Sequence, residues 1–510
     1  APHAKSYWNH VANRNGSWER RRPRLLPQIS DTNTAGEDAC APSIGNTPME
    51  IVQKIIEVEN VQLDRAREDA YAPSSSGHLL KILGVGFGVA VGVGGTIGVG
   101  ILRNPSGVAA QLPSFSMIML VWLLGGIYCL LSANYLTELA TMIPKAGGFY
   151  VYAERAFGGF GGFVVGWSDW LNNTLGLSFI SVVFGEYAAG LFAPNLRGGR
   201  IIFSVSIIAL VATLNWFGLR SGCETQKVAS FLKAVALLGF VVACFVFGGQ
   251  TNQIETLQVA AVAPKSFNSG VVAFVLALQL VLGTYDGWYS AIYFSEEDKN
   301  PTNNLPRSIF GGIGSVIAIY LLVTLALLYV LPISQLASSK FAAADAMSLI
   351  FGERSGQLVT ILALLSLVGI INAIAMMAPR IMFALGRGGL FTKRAAVVNK
   401  GGTPVFALAM TALTAIVLSS IGTFELLLAI GQFFMVVITI LLIVSLFILR
   451  RREPDMPRPF RAWAYPYAPI LMLVFGVLLF FGYLVSNPYP SLYALGLLAV
   501  SYPLFRLKRT

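Results

Sequence analysis

GVGGTIGVGIL, residues 92–102, and GTYDGW, residues 283–288, interrupt two long apolar runs, and their reading decides the architecture. Glycine loses more freedom than any other residue on entering a helix and brings no side chain to pack. Eight glycines between positions 84 and 100 therefore make a weak helix, and Gly98-Val99-Gly100 is expected to unwind. The earlier glycines, four apart at Gly84 and Gly88, also suit close packing against a neighbouring helix. The second run carries Gly283, Asp286 and Gly287 near its middle, a matching interruption.

Around these breaks lie 510 residues, 55% hydrophobic and 12% charged, with a mean hydropathy of +0.67. Soluble domains carry about 25% charged residues, so this chain lacks the means to clothe a soluble surface. Apolar runs near the length of a bilayer crossing are expected at 82–108, 115–142, 158–193, 201–219, 226–248, 268–295, 306–332, 356–386, 404–421, 423–449, 467–486 and 489–505. The fold class is all-α integral membrane, with twelve transmembrane helices of which the first and sixth are broken.

The net charge of +11 does not point to nucleic acid, because ten basic and ten acidic side chains cancel before residue 82. The excess lies in the loops. With a cytoplasmic N-terminus, the inner loops and C-terminal tail hold 19 Lys and Arg, counting Lys227, Arg307 and Arg380 toward the inner ends of their segments, against 6 on the other side, counting Arg103. That bias sets topology and predicts a multi-pass cell-membrane protein with both termini cytoplasmic. Residues 1–79 read as a polar tail, with a short helix at 50–69 and Met49 as a candidate start. The core spans 80–450, and 451–510 hold the last two helices and the C-terminus.

His3, His10 and His78 lie in the tail or at its end, and Cys40, Cys129, Cys223 and Cys244 are scattered. No metal site, cofactor site or nucleophile–base pair is readable at membrane depth, so an enzyme is not expected. Two interrupted helices at equivalent places in two five-helix halves point instead to a transporter site. Unwinding frees amides at a half-helix N-terminus, which attract a carboxylate. It also frees carbonyls at a half-helix C-terminus, which attract an ammonium. A zwitterionic amino acid needs both. Lys233, alone in the apolar run 228–247, is a functional candidate by its depth; the alternative is a lysine reaching for the headgroups. Asp169, Glu186 and Glu138 rank below it, each as suited to satisfying unwound backbone or pairing structurally as to carrying protons, and Asn372, Met376 and Met377 suit either a pocket wall or plain packing against other helices.

These features are joined by GVGIL at 98–102, PKAGGFYVYAERAFG at 144–158, YDGW at 285–288, EEDKNPTNNLPRS at 296–308, APRIMFALGRGGLF at 378–391, GTPVFALA at 402–409 and PDMPRPFRAWAYPYAPI at 454–470. In this order they resemble the amino acid–polyamine–organocation superfamily, nearest its L-amino-acid transporter branch, over about residues 80–505. The resemblance implies a five-plus-five inverted repeat, with helices eleven and twelve outside it, and alternating access around a midplane site. It implies a substrate carboxylate at the amides of Gly98, Val99, Gly100 and Ile101, and an amino group at the carbonyls of Gly283, Thr284 and Tyr285, beside Asp286 and Gly287. Lys233 would hold the place of a sodium ion used by more distant relatives.

The chain departs from the pattern at Val99, where Ser or Ala is usual, at Gly283, where the branch has an aromatic lid, and at Asp286, where a small residue is common. Loop 194–200 lacks a cysteine, so no disulfide-linked heavy chain is expected. The function implied is sodium-independent transport of L-α-amino acids, by exchange or with protons. The alternatives are a cationic amino acid or polyamine carrier, with Asp286 reading the extra charge, and a nutrient sensor of the same fold.

Overall fold

The computed structural model describes residues 79–98, 100–248 and 267–507, which fall in one unit, Ala66–Thr510. Val99, Cys40, Met49 and the helix expected at 50–69 lie outside them. In chain order the described helices are α1 (Val85–Thr96), α2 (Gly100–Gln111), α3 (Phe115–Met142), α4 (Phe149–Phe192), α5 (Gly199–Trp216), α6 (Leu219–Phe247) and α7 (Phe267–Tyr285). A 3-10 segment, Trp288–Glu297, follows α7. Then come α8 (Pro301–Val330), α9 (Ile333–Ser338), α10 (Ala342–Phe351), α11 (Arg354–Arg387), α12 (Val405–Ile421), α13 (Phe424–Arg452), α14 (Tyr467–Ser486) and α15 (Pro488–Leu507). Among the described residues, extended backbone pairs only at the isolated bridge between Leu83 and Asp298.

Nine spans among these residues are long and apolar enough to cross a membrane, ten with the bent pair α1–α2 taken as one. The 17-residue α12 and the 20-residue α15 occupy the ninth and twelfth expected segments. Large apolar side chains such as Phe231, Leu413, Leu478 and Val485 stand exposed on the flanks. In water they would be costly; against lipid they are the surface a multi-pass membrane protein needs.

Two places differ from the expected segments. The third begins at Phe149 rather than 158, because helix runs up to a kink at Gly158, whose φ of +81° only glycine adopts readily. The short helices α9 and α10 follow the seventh segment, where a loop was expected. Side-chain caps at Ser114, accepting from the Met117 amide at 3.3 Å, and at Thr423, accepting from Leu426 at 3.4 Å, start α3 and α13. The long α4 packs along α13, α11 and α5, while α1 packs on α8 and α6, and α2 on α7. The two broken segments thus meet in the interior.

Candidate functional site

The first break opens after Thr96, where Ile97 leaves the helix with ψ of +110°. α2 restarts at Gly100, and the half-helices are bent by 45°. The carbonyl end of α1 is covered by donors from three other helices. The Tyr320 hydroxyl of α8 lies 2.9 Å from the Thr96 carbonyl. The Lys233 amine of α6 donates to Gly94 at 2.8 Å and to Ile97, and Ser366 of α11 reaches the same Ile97 carbonyl at 3.2 Å. Ser230 adds a bond to Ala90 at 2.7 Å. The amide end of α2 differs: by helix geometry its first four N–H groups have no acceptor within the helix. Gly100 and Ile101 open that end.

The second break is narrower than expected. Gly283, Thr284 and Tyr285 remain inside α7, and only Asp286 and Gly287 leave helical geometry before the 3-10 segment. Thr284 continues the helix by donating its hydroxyl to Leu280 at 2.7 Å, while Asn104 of α2 donates to that hydroxyl at 2.7 Å. Gly283 has open space where a side chain would stand. Gly287 carries the turn at φ of +105°, and a Cβ there would lie 2.5 Å from the Gly95 carbonyl oxygen. The two segments touch backbone to backbone. At Gly100 a Cβ would come 3.0 Å from the Thr284 methyl, so the start of α2 also lies against the end of α7.

Lys233 is 4% exposed and does not reach for headgroups. Its amine lies across the first break, in space kept by Gly369, where a Cβ would sit 3.2 Å from Nζ. Asp286 accepts from the Gly287 amide at 3.0 Å and lines a cavity with Ser132, Gln279, Gln432, Thr439 and Tyr483. No residue of α1 or α2 lines that cavity, although the next residue, Gly287, lies against Gly95 of α1.

Tyr320 and Ser366 carried no recognisable signal in the sequence. Tyr320 is fully buried, and its hydroxyl also lies 3.0 Å from the Thr284 carbonyl, linking the C-terminal ends of α1 and α7. A lone tyrosine in an apolar run was its only mark. Asn372 bonds to Gln226 at 2.9 Å and to the Gly222 carbonyl, and accepts from Asn215 at 2.9 Å; it ties α5, α6 and α11 together. Met376 and Met377 are buried in packing, and Glu186 is exposed.

One end of the bundle is locked by ion pairs. Arg380 meets Glu297 at 2.9 Å with both side chains buried, and Arg387 meets Glu296 at 2.6 Å. Arg450 and Arg458 meet the fully buried Glu138 at 2.5 Å and 3.3 Å, and the Ala462 amide donates to Glu138 as well. In the loop joining α3 to α4, burial first and then Arg387 and Arg155 lower the pKa of Lys145. Among the described residues, no group of His, Cys, Asp and Glu could hold a metal ion.

The family model described as amino acid permease matches residues 81–501. The serine/threonine exchanger SteT of Bacillus subtilis is 28% identical over 400 residues, covering 78% of this chain and 89% of that protein. The b(0,+)-type amino acid transporter 1 of Mus musculus is 27% identical, over 84% of this chain and 89% of its own. The large neutral amino acids transporter small subunit 2 of Mus musculus is 26% identical, over 86% and 83%.

Proposed function

Because the chain belongs to the amino acid permease family and is an amino acid transporter by that membership, we propose that it carries L-α-amino acids without sodium, by alternating access. One observation carries the reading. The carbonyl end of α1 is occupied by Lys233, Ser366 and Tyr320, which leaves the amide end of α2 for a ligand. A cation at the first break would have to displace an amine already bonded to two carbonyls. We infer that an anion at Gly98, Val99, Gly100 and Ile101 is drawn to the start of α2, where a helix leaves its first amides without intrahelical acceptors and presents the positive end of its dipole.

The carboxylate therefore binds at α2, and the amino group binds at the end of α7, near the carbonyls of Gly283, Thr284 and Tyr285. Twelve crossings arranged as a five-plus-five inverted repeat, with α14 and α15 outside it, give each break its counterpart. Both termini are cytoplasmic and the chain sits in the cell membrane, which puts the Arg–Glu locks on the cytoplasmic side. The loop between α4 and α5 has no cysteine, which supports a carrier without a disulfide-linked heavy chain. Exchange is favoured by the relative named as an exchanger. No chemical step on the substrate is part of this reading.

The polar cavity beside Asp286 supports a second reading, in which a cationic amino acid or polyamine places its extra charge there. Uptake of radiolabelled L-serine, L-leucine, L-lysine and putrescine into proteoliposomes, empty or preloaded with unlabelled substrate, separates these readings. Preloading should accelerate the amino acids, and choline in place of sodium should change nothing. A strict sodium requirement would overturn the role of Lys233. Putrescine carried as well as lysine would overturn the carboxylate site at α2.

A further inference from the structure

Asp169 lies in the middle of α4 with no exposed surface. One of its oxygens, Oδ1, accepts from the Tyr293 hydroxyl at 2.8 Å and from Asn173 Nδ2 at 2.9 Å. The other, Oδ2, is buried and has no hydrogen-bond partner among the described residues. Tyr293 belongs to the 3-10 segment, so this contact joins the second half of a broken helix to α4. Binding of the substrate head group at α2 and α7 does not involve it.

The protonation state follows from the two oxygens. An ionised carboxylate spreads its charge over both, and a bare charged oxygen away from water is among the costliest groups to bury. A neutral carboxyl fits the site: the proton sits on Oδ2, and Oδ1 becomes a carbonyl oxygen accepting both bonds. An unsatisfied neutral hydroxyl is far cheaper than an unsatisfied charge. The titratable groups facing Asp169 are Tyr289 and Tyr293 of the 3-10 segment. Among the described residues, no Lys or Arg pairs with it. On the surrounding elements Arg380 pairs with Glu297, Arg387 with Glu296, and Arg450 with Glu138. Arg155 pairs with Glu453, while Glu154 and Glu186 lie on α4 itself, Arg200 at the start of α5 and Arg506 near the end of α15.

We propose that Asp169 is the proton-carrying residue of the transport cycle, holding a proton on Oδ2 while Tyr293 is docked and releasing it to water when the 3-10 segment leaves α4. The inference rests on alternating access, since docking and release are its two states. On loading, water gives up a proton and an O–H bond forms at Oδ2. On opening, that bond breaks and the proton passes to water, leaving a solvated carboxylate. Amino acid flux is thereby tied to proton flux.

The test uses the full chain in proteoliposomes and whichever of L-serine, L-leucine and L-lysine shows counterflow. With the membrane potential clamped at zero and the inside alkaline by one pH unit, one proton per amino acid allows at most about tenfold accumulation. Wild type should overshoot toward that ceiling. Asp169→Asn keeps the shape and the Oδ1 acceptor; it should retain counterflow and lose the overshoot. Counterflow without any pH-driven overshoot in wild type, or an overshoot kept by the variant, overturns the proposal. Absence of counterflow in wild type overturns the amino acid carrier reading instead. Infrared difference spectra then still decide the proton: a protonated carboxyl stretch present in wild type and missing in Asp169→Asn supports it, and no such band refutes it. Should Asp169→Asn not fold, Tyr293→Phe, which strips one bond from Oδ1, should move the pH dependence of uptake toward higher pH; an unmoved profile refutes the role.

Discussion

Replacing Lys233 by Met keeps the apolar stem of the side chain but removes the two hydrogen bonds its amine makes at the first break. The Gly94 and Ile97 carbonyls lose the amine, while Ile97 keeps Ser366 at 3.2 Å. A buried acceptor left without its partner costs about 1–3 kcal/mol, so one full loss and one partial loss amount to about 2–4 kcal/mol. If that cost falls on the bent conformation through which transport must pass, the rate drops roughly 30- to 700-fold at about 1.4 kcal/mol per decade. Global stability should fall less, because removing the amine also removes the cost of burying it. The assay is initial counterflow in proteoliposomes at matched protein density, with thermal unfolding in detergent alongside. Lys233→Met transporting within about threefold of wild type, with unfolding unchanged, would show that the amine does not hold the first break in its transport-competent shape.

Three further outcomes follow. Gly287→Ala forces a side chain into φ of +105° and against the Gly95 carbonyl at 2.5 Å; a loss of at least about 2 kcal/mol and of all uptake is expected, measured by denaturation midpoint and transport. Tyr320→Phe keeps the ring tilted against Tyr285 with centroids 4.8 Å apart but removes the hydroxyl that the Thr96 and Thr284 carbonyls share, so transport should fall about tenfold with little change in unfolding temperature; an unchanged KM and rate would show that the hydroxyl is idle. Arg380→Met leaves Glu297 buried and unpaired, costing about 3–5 kcal/mol, and adding Glu297→Met should restore most of it in a thermal unfolding series.

The membrane segments were legible because length and hydropathy act through the local chain, and ends such as Tyr467–Ser486 depend on little else. The first break was legible for the same reason: glycines are visible as letters. The second was placed three residues too early, since Gly283 looks like a breaker while the space around it is open and nothing pushes the helix apart there. What sets that break is Gly287 meeting Gly95, a contact between segments 192 residues apart in the numbering. Lys233 stood out as a lone charge, but its partners are backbone carbonyls, which no sequence letter marks. Tyr320 was missed for the complementary reason, because tyrosine is an ordinary residue in a membrane helix. The acidic partners Glu138 and Glu297 were visible as charges, and only the packing of distant helices says which arginine each one meets.

The 3-10 segment has a consequence for distance. Ten residues at about 2.0 Å each reach about 20 Å, whereas the same ten wound as α-helix reach about 15 Å. Runs this long are uncommon because their hydrogen bonds are poorly aligned, so the tighter winding is held by what the ends grip: Gly287 against Gly95, and Glu297 against Arg380. Releasing either end lets the segment relax and shorten by about 5 Å. Each residue then turns about 20° less about the axis, so Tyr293 and Glu297, four residues apart, change their relative bearing by about 80°. They cannot both face their present partners after rewinding. The segment works as a screw thread, whose pitch, rather than any hinge angle, decides which contacts are made together and which must be broken together.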